Sequence, residues 1–509
     1  MKVVDITDSI QIKEKHELES LFKSYERTSG LVCKGLTCLE LTELDEIKQK
    51  YDLDSQSFLI IYHFHNLDSE ERFHIGVSLL YGQTMQSYSY IWPSLHYFEN
   101  EIFDLYGIKF YRYERIQKEI LDKDGPSFME KAAEITQKSA QRQEEFEEGI
   151  DIVETNLFEY GIQSQRAAFK MAVHGKKVVG LRAQTESLFL GLEKIFEQIH
   201  LGHIQKYISH SNSAAFIPYQ LLWAETLEYS QGFEANFYER SKRMLIYEFS
   251  KIMENIRSLS LTFKVLNEVD PHLKCREFLN KLKLIMLEFE QTRPHPQFVG
   301  PCHNSVMPEG WKRKCSSLVK SFVNDFEKLK TSVTRLYRVL DFSHIRSTRM
   351  NALKSGYTGL PLRSFGVSYD LRKNDQFYLY NELELKTPLG INGTSYDRIL
   401  IRMEEVKESF SNIIRLIESF PIPAQMEEFS EIRGLDSDKI LFSYTESGSG
   451  EINFLSAFRK GSERLNRLHI MGPTKRTLKI YEESYHTSDL DLMITDWVSL
   501  GMNMEEVTK

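Results

Sequence analysis

The sequence predicts an α+β protein in which a small N-terminal α/β unit is followed by a mainly helical domain with short β elements. Apolar strand-sized runs cluster before residue 115, whereas after residue 151 apolar residues recur every third or fourth position over long stretches. Between them lies a highly charged stretch that is poor in large apolar residues.

The elements follow in order. KEKHELESLFKSYERT places Leu18, Leu21 and Phe22 on one helical face. SFLIIYHFHNL and RFHIGVSLLY read as two strands joined by the polar turn NLDSEER. The charged stretch suits a linker or a solvated helix, which divides the chain at 1–115, 116–150 and 151–509. Beyond it, FYERSKRMLIYEFSKIMENI (237–256) and YDRILIRMEEVKESFSNIIRLIESF (396–420) have helical periodicity. So does the segment 311–341, where Leu318, Phe322, Phe326, Leu329, Val333, Leu336 and Leu340 form one packing stripe. ESGSGEI (446–452) reads as a flexible turn, and the whole region as a helical bundle with strand excursions.

Composition narrows the functional classes. With 509 residues, 41% hydrophobic and 27% charged, the chain has the balance of a globular protein of several domains. A net charge of -9, from 64 basic and 73 acidic residues, argues against nucleic acid as a partner. No run approaches the roughly 18–20 apolar residues needed to cross a bilayer, and the first residues carry no apolar signal core. A cytoplasmic protein, attached to a membrane only through partners, is expected. Five cysteines, none in a CxxC pair, read as scattered reduced thiols. The nucleotide-binding motifs GxGxxG and GxxxxGK[ST] are missing, as are the GxSxG elbow and HExxH. His63 and His65 are expected to serve packing or to face solvent, and His200, His203 and His210 to make ordinary hydrogen bonds rather than a metal site.

Two stretches are more distinctive. WPSLHYFENEIFDLYGIKF (92–110) resembles the signature of the C-type subunit family of complex I, the thirty-kilodalton family. Glu99, Glu101, Asp104 and Gly107 are among its matching positions, and Asn100 stands where the family has Arg. From its residues alone the segment suits a core strand and turn, bending at Gly107 and docking a neighbour. GYTGLPLRSFGVSYDLRKNDQFYLY and TPLGINGTSYDRILIRMEEVKES (356–380 and 387–409) resemble the D-type, forty-nine-kilodalton subunit family, which is related to the large subunits of nickel-iron hydrogenases. Arg363, Asp370, Arg372, Asp397, Arg398 and Arg402 carry this match. Their chemistry suits bidentate ion pairs that fix loops against a helix. The order C-then-D resembles the fused subunits of NADH-quinone oxidoreductases and of formate-hydrogenlyase-type hydrogenases.

The resemblance implies a C-type domain followed by a hydrogenase-large-subunit-like domain in a peripheral-arm subunit of a membrane-bound, ion-translocating complex. It also implies an iron-sulfur small subunit resembling the B-type subunit of complex I as partner, with membrane subunits resembling the H-type and antiporter-like proteins. Any iron-sulfur cluster then belongs to the partner, and NADH binding to the assembly. The departures bear on function. Alignment on Glu225 puts Ser209 and Asn212 at the first pair of hydrogenase thiolates, and alignment on the C-terminus puts Asn503 and Glu506 at the second. None is a soft sulfur ligand, so no nickel-iron centre is expected. For quinone, alignment on Gly191-Leu192-Glu193-Lys194 puts Phe189 at the family's head-group His, with its Tyr near His210 and its Asp near Thr262. Phe189 offers no proton. Two functions follow: a scaffold or coupling subunit that has lost redox chemistry, binding no cofactor itself, or an active subunit with a rearranged quinone site.

Overall fold

The computed structural model describes residues 1–54, 57–111, 150–156, 168–185, 190–288, 308–341, 348–375, 377–383, 385–421, 432–484 and 489–509. The charged stretch expected at 116–150 lies outside them but for its last residue, and Phe189 lies outside them too.

The N-terminal part runs β1 (Lys2–Asp5), β2 (Ile10–Ile12), α1 (Leu18–Tyr25), β3 (Leu31–Glu40), α2 (Asp45–Tyr51), β4 (Ser57–Asn66), β5 (Glu71–Leu80), β6 (Met85–Gln86), α3 (His96–Tyr106) and β7 (Phe110–Tyr111). Strands β5, β4 and β3 are antiparallel neighbours and β2 joins the outer edge parallel to β5. Strands β3 and β4 are buried along nearly their whole length, so both faces of the sheet are covered and their sequences carry little polar alternation. Phe22 of α1 seals one face, its ring meeting Tyr62, Phe64, Tyr88 and Trp92 edge-on.

The segment 92–110 differs from the strand and turn its residues suggest. A turn of 3-10 helix at Pro93–Leu95 leads into α3, which Gly107 ends in the left-handed conformation at φ 71°. Phe103 apart, every residue of α3 is buried, so the helix lacks the solvent-facing polar stripe that marks helical periodicity.

The larger part begins with an antiparallel sheet of β8 (Asp151–Asn156), β9 (Ala168–His174) and β10 (Lys177–Ala183). Helices follow: α4 (Leu192–Gln198), α5 (Leu201–Tyr207), α6 (Phe216–Ser230), α7 (Phe237–Val265), α8 (Val269–Leu287), α9 (Trp311–Arg335), α10 (Tyr337–Leu340), α11 (Arg349–Lys354), α12 (Gly359–Arg363), α13 (Leu371–Asn374) and α14 (Ser395–Glu418). The expected stripe of α9 packs as a face: Phe322 stacks on Phe278 of α8 at 3.6 Å between ring centroids and meets Phe410 of α14 edge-on. Strands β11 (Lys439–Ser447), β12 (Gly450–Phe458) and β13 (Leu465–Met471) and helices α15 (Pro473–Ser484) and α16 (Leu490–Leu500) complete the fold.

ESGSGEI is not a free turn. It closes the β11–β12 hairpin, with Glu446 opposite Glu451 and both carboxylates buried. Its Gly/Ser composition reads as a flexible turn, but the strands on either side are held in a sheet ordered β1-β11-β12-β13. The edge strand β1 comes from the chain's first residues, pairing Lys2 with Tyr444 through Asp5 with Leu441. The two ends of the sequence therefore share one sheet, and β13 lies against β3 of the other. No helix among the described residues is long and apolar enough to cross a membrane.

Candidate functional site

The Arg/Asp residues singled out in the sequence form a buried ionic framework between α7, α14, the α12–α13 segment and β11. Arg363 donates to Glu405 at 2.5 Å and to Glu446 at 2.7 Å. Asp370 caps α13 by accepting from the Arg372 backbone, and grips the Arg372 guanidinium with both oxygens at 3.0 and 2.7 Å. Burial alone would raise the carboxyl pKa of Glu405, but Lys251, Arg363 and Arg372 outweigh it and bring it down to about 2. Asp397 caps α14 in a capping box with Thr394. Arg398 pairs with Asp496 of α16 and donates to Ser499 Oγ at 2.9 Å. Arg402 holds the Ser499 carbonyl at 2.8 Å, the Gly448 carbonyl at 3.0 Å and Asn255 at 2.8 Å. These arginines tie the hairpin turn and the C-terminal helix to α7 and α14. The sequence supplied the cations but not Glu446 or Asp496, because acids dozens of residues away carry no local signal of pairing.

Beside this framework lie Ser209, Asn212, Asn503 and Glu506, the four residues expected from the sequence at the positions of hydrogenase metal ligands. Three of the four meet. Glu506 accepts from Asn212 Nδ2 at 2.7 Å, Tyr219 Oη at 2.8 Å and the Thr474 backbone N–H at 2.9 Å. Asn503 donates through Nδ2 to Asn212 Oδ1 at 2.7 Å and through its backbone N–H to Thr474 Oγ1 at 2.9 Å. Asn212 Oδ1 also accepts the N–H groups of Ala214 and Ala215. Burial, and after it the Glu506 carboxylate, hold the Tyr219 phenol well above its usual pKa, so it stays a donor. Ser209 is fully buried in the turn Ile208–Ser211, and its hydroxyl has no hydrogen-bond partner among the described residues. A small pocket of about 10 Å³, room for one water at most, lies alongside and is lined by Tyr357, Ser449, Thr474, Leu500 and Met502 among others.

This donor set does not fit a nickel-iron group. Two amides, a hydroxyl and one carboxylate replace soft thiolates, and the amides and carboxylate are already committed to one another and to the backbone. Tyr219 and Thr474, which complete the network, went unnoticed in the sequence, where nothing local distinguishes them from core residues. Among the proposed quinone contacts, His210 lies in the same turn as Ser209, its ring 6.5 Å from Tyr207. Thr262 is separate from the network, its hydroxyl bonded back to the Ser258 carbonyl of α7 at 3.0 Å. His200 accepts from the Gly202 N–H and caps α5.

The 92–110 motif faces inward. Glu99 accepts from Ser87 Oγ at 2.6 Å and the Tyr88 N–H at 3.0 Å, fixing the approach to α3. Glu101 pairs with Lys475 of α15 at 2.5 Å and His469 of β13 at 3.1 Å, and Asp104 is fully buried. The neighbour that Glu101 docks is thus the C-terminal part of the same chain.

Comparison with known proteins agrees with this architecture. Residues 14–131 match the family model of the respiratory-chain NADH dehydrogenase 30 Kd subunit, and residues 295–509 that of its 49 Kd subunit. The fused C/D subunit of NADH-quinone oxidoreductase from Ectopseudomonas mendocina is 23% identical over 412 residues, covering 73% of this chain and 68% of the relative. The second D-type subunit of the same enzyme from Anaeromyxobacter sp. is 24% identical over 311 residues, covering 55% of this chain and 72% of the relative. A chain of the membrane-bound sulfane sulfur reductase, an archaeal respiratory membrane complex, superposes with a TM-score of 0.67 at 17% identity, over 71% of this chain and 99% of that one, and so shares the fold. With the smaller of these two subunit types preceding the larger on one chain, the protein belongs to the family of fused C/D-type subunits of respiratory-chain NADH dehydrogenase.

Proposed function

We propose that this chain is a peripheral-arm subunit of a membrane-bound, complex I-like assembly, and that it acts there as a scaffold and coupling element in which the ancestral redox pocket has been closed. The observation that carries this reading is the Asn212–Asn503–Glu506 network at the positions of the hydrogenase ligands, with Tyr219 and Thr474 completing it. Side chains that bond to one another are not free to hold a ligand, and a buried, satisfied network rigidifies the tail against α6 and α15. Arg398 and Arg402 join the C-terminal helix that leads into this tail to the long helices α14 and α7, which suits transmission of a movement between docking surfaces. The partners under this reading are an iron-sulfur subunit resembling the B-type subunit of complex I and membrane subunits resembling the H-type and antiporter-like proteins. The chain then sits on the cytoplasmic face of the membrane, held there by those partners.

The test is gentle extraction of the chain with its partners, followed by metal analysis and quinone-reductase assay. The expected result is co-purification with membrane subunits, no stoichiometric nickel, and no quinone reduction that depends on this subunit. Stoichiometric nickel, or quinone reduction lost on removing this chain and restored on adding it back, would overturn the proposal.

A further inference from the structure

Five buried polar groups from five elements form one unbroken hydrogen-bonded line across the junction of the two sheets. His74 on β5 and His63 on β4 face each other in register, their Nδ1 atoms 2.8 Å apart. His63 Nε2 is 2.9 Å from Thr37 Oγ1 on β3, and Thr37 Oγ1 is 2.8 Å from His469 Nδ1 on β13. His469 Nε2 is 3.1 Å from Glu101 Oε2 on α3. His63 and Thr37 have no solvent exposure, whereas His74 at the start of the line retains 4%. Aromatic neighbours fix the rings: Phe442 lies 4.9 Å from both His63 and His74, and Phe98 meets His469 edge-on.

One end dictates the direction of every bond. Burial would raise the Glu101 carboxyl, but Lys475, and after it His469, outweigh that effect and keep it well below its usual pKa, so it is a carboxylate and can only accept. His469 must then carry its proton on Nε2 and present a lone pair at Nδ1. The single Thr37 hydroxyl proton goes to that lone pair, so Thr37 accepts from His63 Nε2–H. His63 Nδ1 in turn accepts from His74 Nδ1–H. Burial keeps all three imidazoles neutral, as this pattern requires, and His74 is lowered to about 3 by burial and then by Arg72. Other charges facing the line are Arg467 and Glu193 near His469, and Lys509, which faces Glu101 and Glu193.

We propose that His74, His63, Thr37, His469 and Glu101 form a reversible proton-transfer path that links β5 of the N-terminal sheet to the carboxylate at the junction with the C-terminal part. A proton added at His74 Nε2 releases the one on Nδ1 to His63 Nδ1. His63 Nε2–H passes its proton to Thr37 Oγ1, Thr37 passes its own to His469 Nδ1, and His469 Nε2–H passes the last to Glu101 Oε2. One proton enters, Glu101 becomes a carboxylic acid, each imidazole ends as the opposite neutral tautomer, and no electron moves. The step removes the anion that faces Lys475, the residue next to Thr474 of the closed site. It is independent of whether the subunit is a scaffold.

The experiment uses the full chain with 15N-labelled histidine. Imidazole 15N shifts report the tautomers, and the exchange of His469 Nε2–H with solvent reports the path. The expected pattern is Nε2–H on His469 and His63 and Nδ1–H on His74, with His469 Nε2–H exchanging faster than the β13 backbone amides around it. Thr37→Val should reduce that exchange to the rate of those amides, and Thr37→Ser should keep it. Any other tautomer pattern in the unaltered protein overturns the proposal, as does unchanged exchange in Thr37→Val. If Thr37→Val does not fold, His63→Phe, which preserves the stack on Phe442, breaks the same path and must give the same loss.

Discussion

Removing the Glu506 carboxylate tests whether the Asn212–Asn503–Glu506 network is closed by its own side chains. Glu506→Ala strands three buried donors: Asn212 Nδ2, Tyr219 Oη and the Thr474 N–H, which the carboxylate accepts at 2.7, 2.8 and 2.9 Å. A buried donor left without an acceptor costs about 1–3 kcal/mol. Water admitted to the vacated space makes up part of the loss, so the three together should cost about 3–5 kcal/mol. Glu506→Gln keeps one carbonyl oxygen for Asn212 and Tyr219 but turns an amide nitrogen toward Thr474, and should cost about 1–3 kcal/mol. Native-state hydrogen exchange reads the loss locally, at the network's own amides. The amides to follow are Thr474, Asn503, Ala214 and Ala215, all of which donate into the network. The loss of protection at these amides should be larger in Glu506→Ala than in Glu506→Gln, while strand β4 is unchanged. Wild-type protection in Glu506→Ala would mean that Glu506 faces solvent or a ligand rather than a closed network, and would refute the reasoning.

Further outcomes are expected elsewhere. Arg363→Met leaves Glu405 and Glu446 in the core without their shared cation and should destabilise by about 3–5 kcal/mol, whereas Lys330→Met, which breaks the exposed pair with Glu404, should change stability by less than about 1 kcal/mol; thermal unfolding of the two variants measures the contrast. Burial, opposed by the Gly448 N–H and Ser250, pushes the Glu254 carboxyl up to about 7. The folded chain therefore holds a proton there that the unfolded chain has released above about pH 4.5, so this group's contribution to stability declines as pH rises toward 7, by at most about 1.4 kcal/mol per pH unit. Glu254→Gln should flatten the wild-type curve of stability against pH within that window. Gly393 has φ 67°, and an added Cβ would fall 2.1–2.6 Å from the Phe365 ring, so Gly393→Ala should cost about 3 kcal/mol in melting experiments through strain and overpacking together.

The sequence by itself determined the order of the two parts, the helical packing faces and the absence of sulfur at Ser209, Asn212, Asn503 and Glu506. Each is a local property: Phe322 and Phe326 mark a stripe by their spacing, and Asn212 or Asn503 cannot supply sulfur however the chain folds. Helix α3 escaped the same logic because burial on all sides erased its polar stripe, and β1 because four residues at a sheet edge carry no period. Only the tertiary structure decided that Arg363 pairs with Glu446, 83 residues away, or that Thr37 bridges His63 and His469. Those partners are set by strand register and helix crossing, and burial then makes each one consequential, since a charge or hydroxyl removed from water has to find its counterpart in the folded chain.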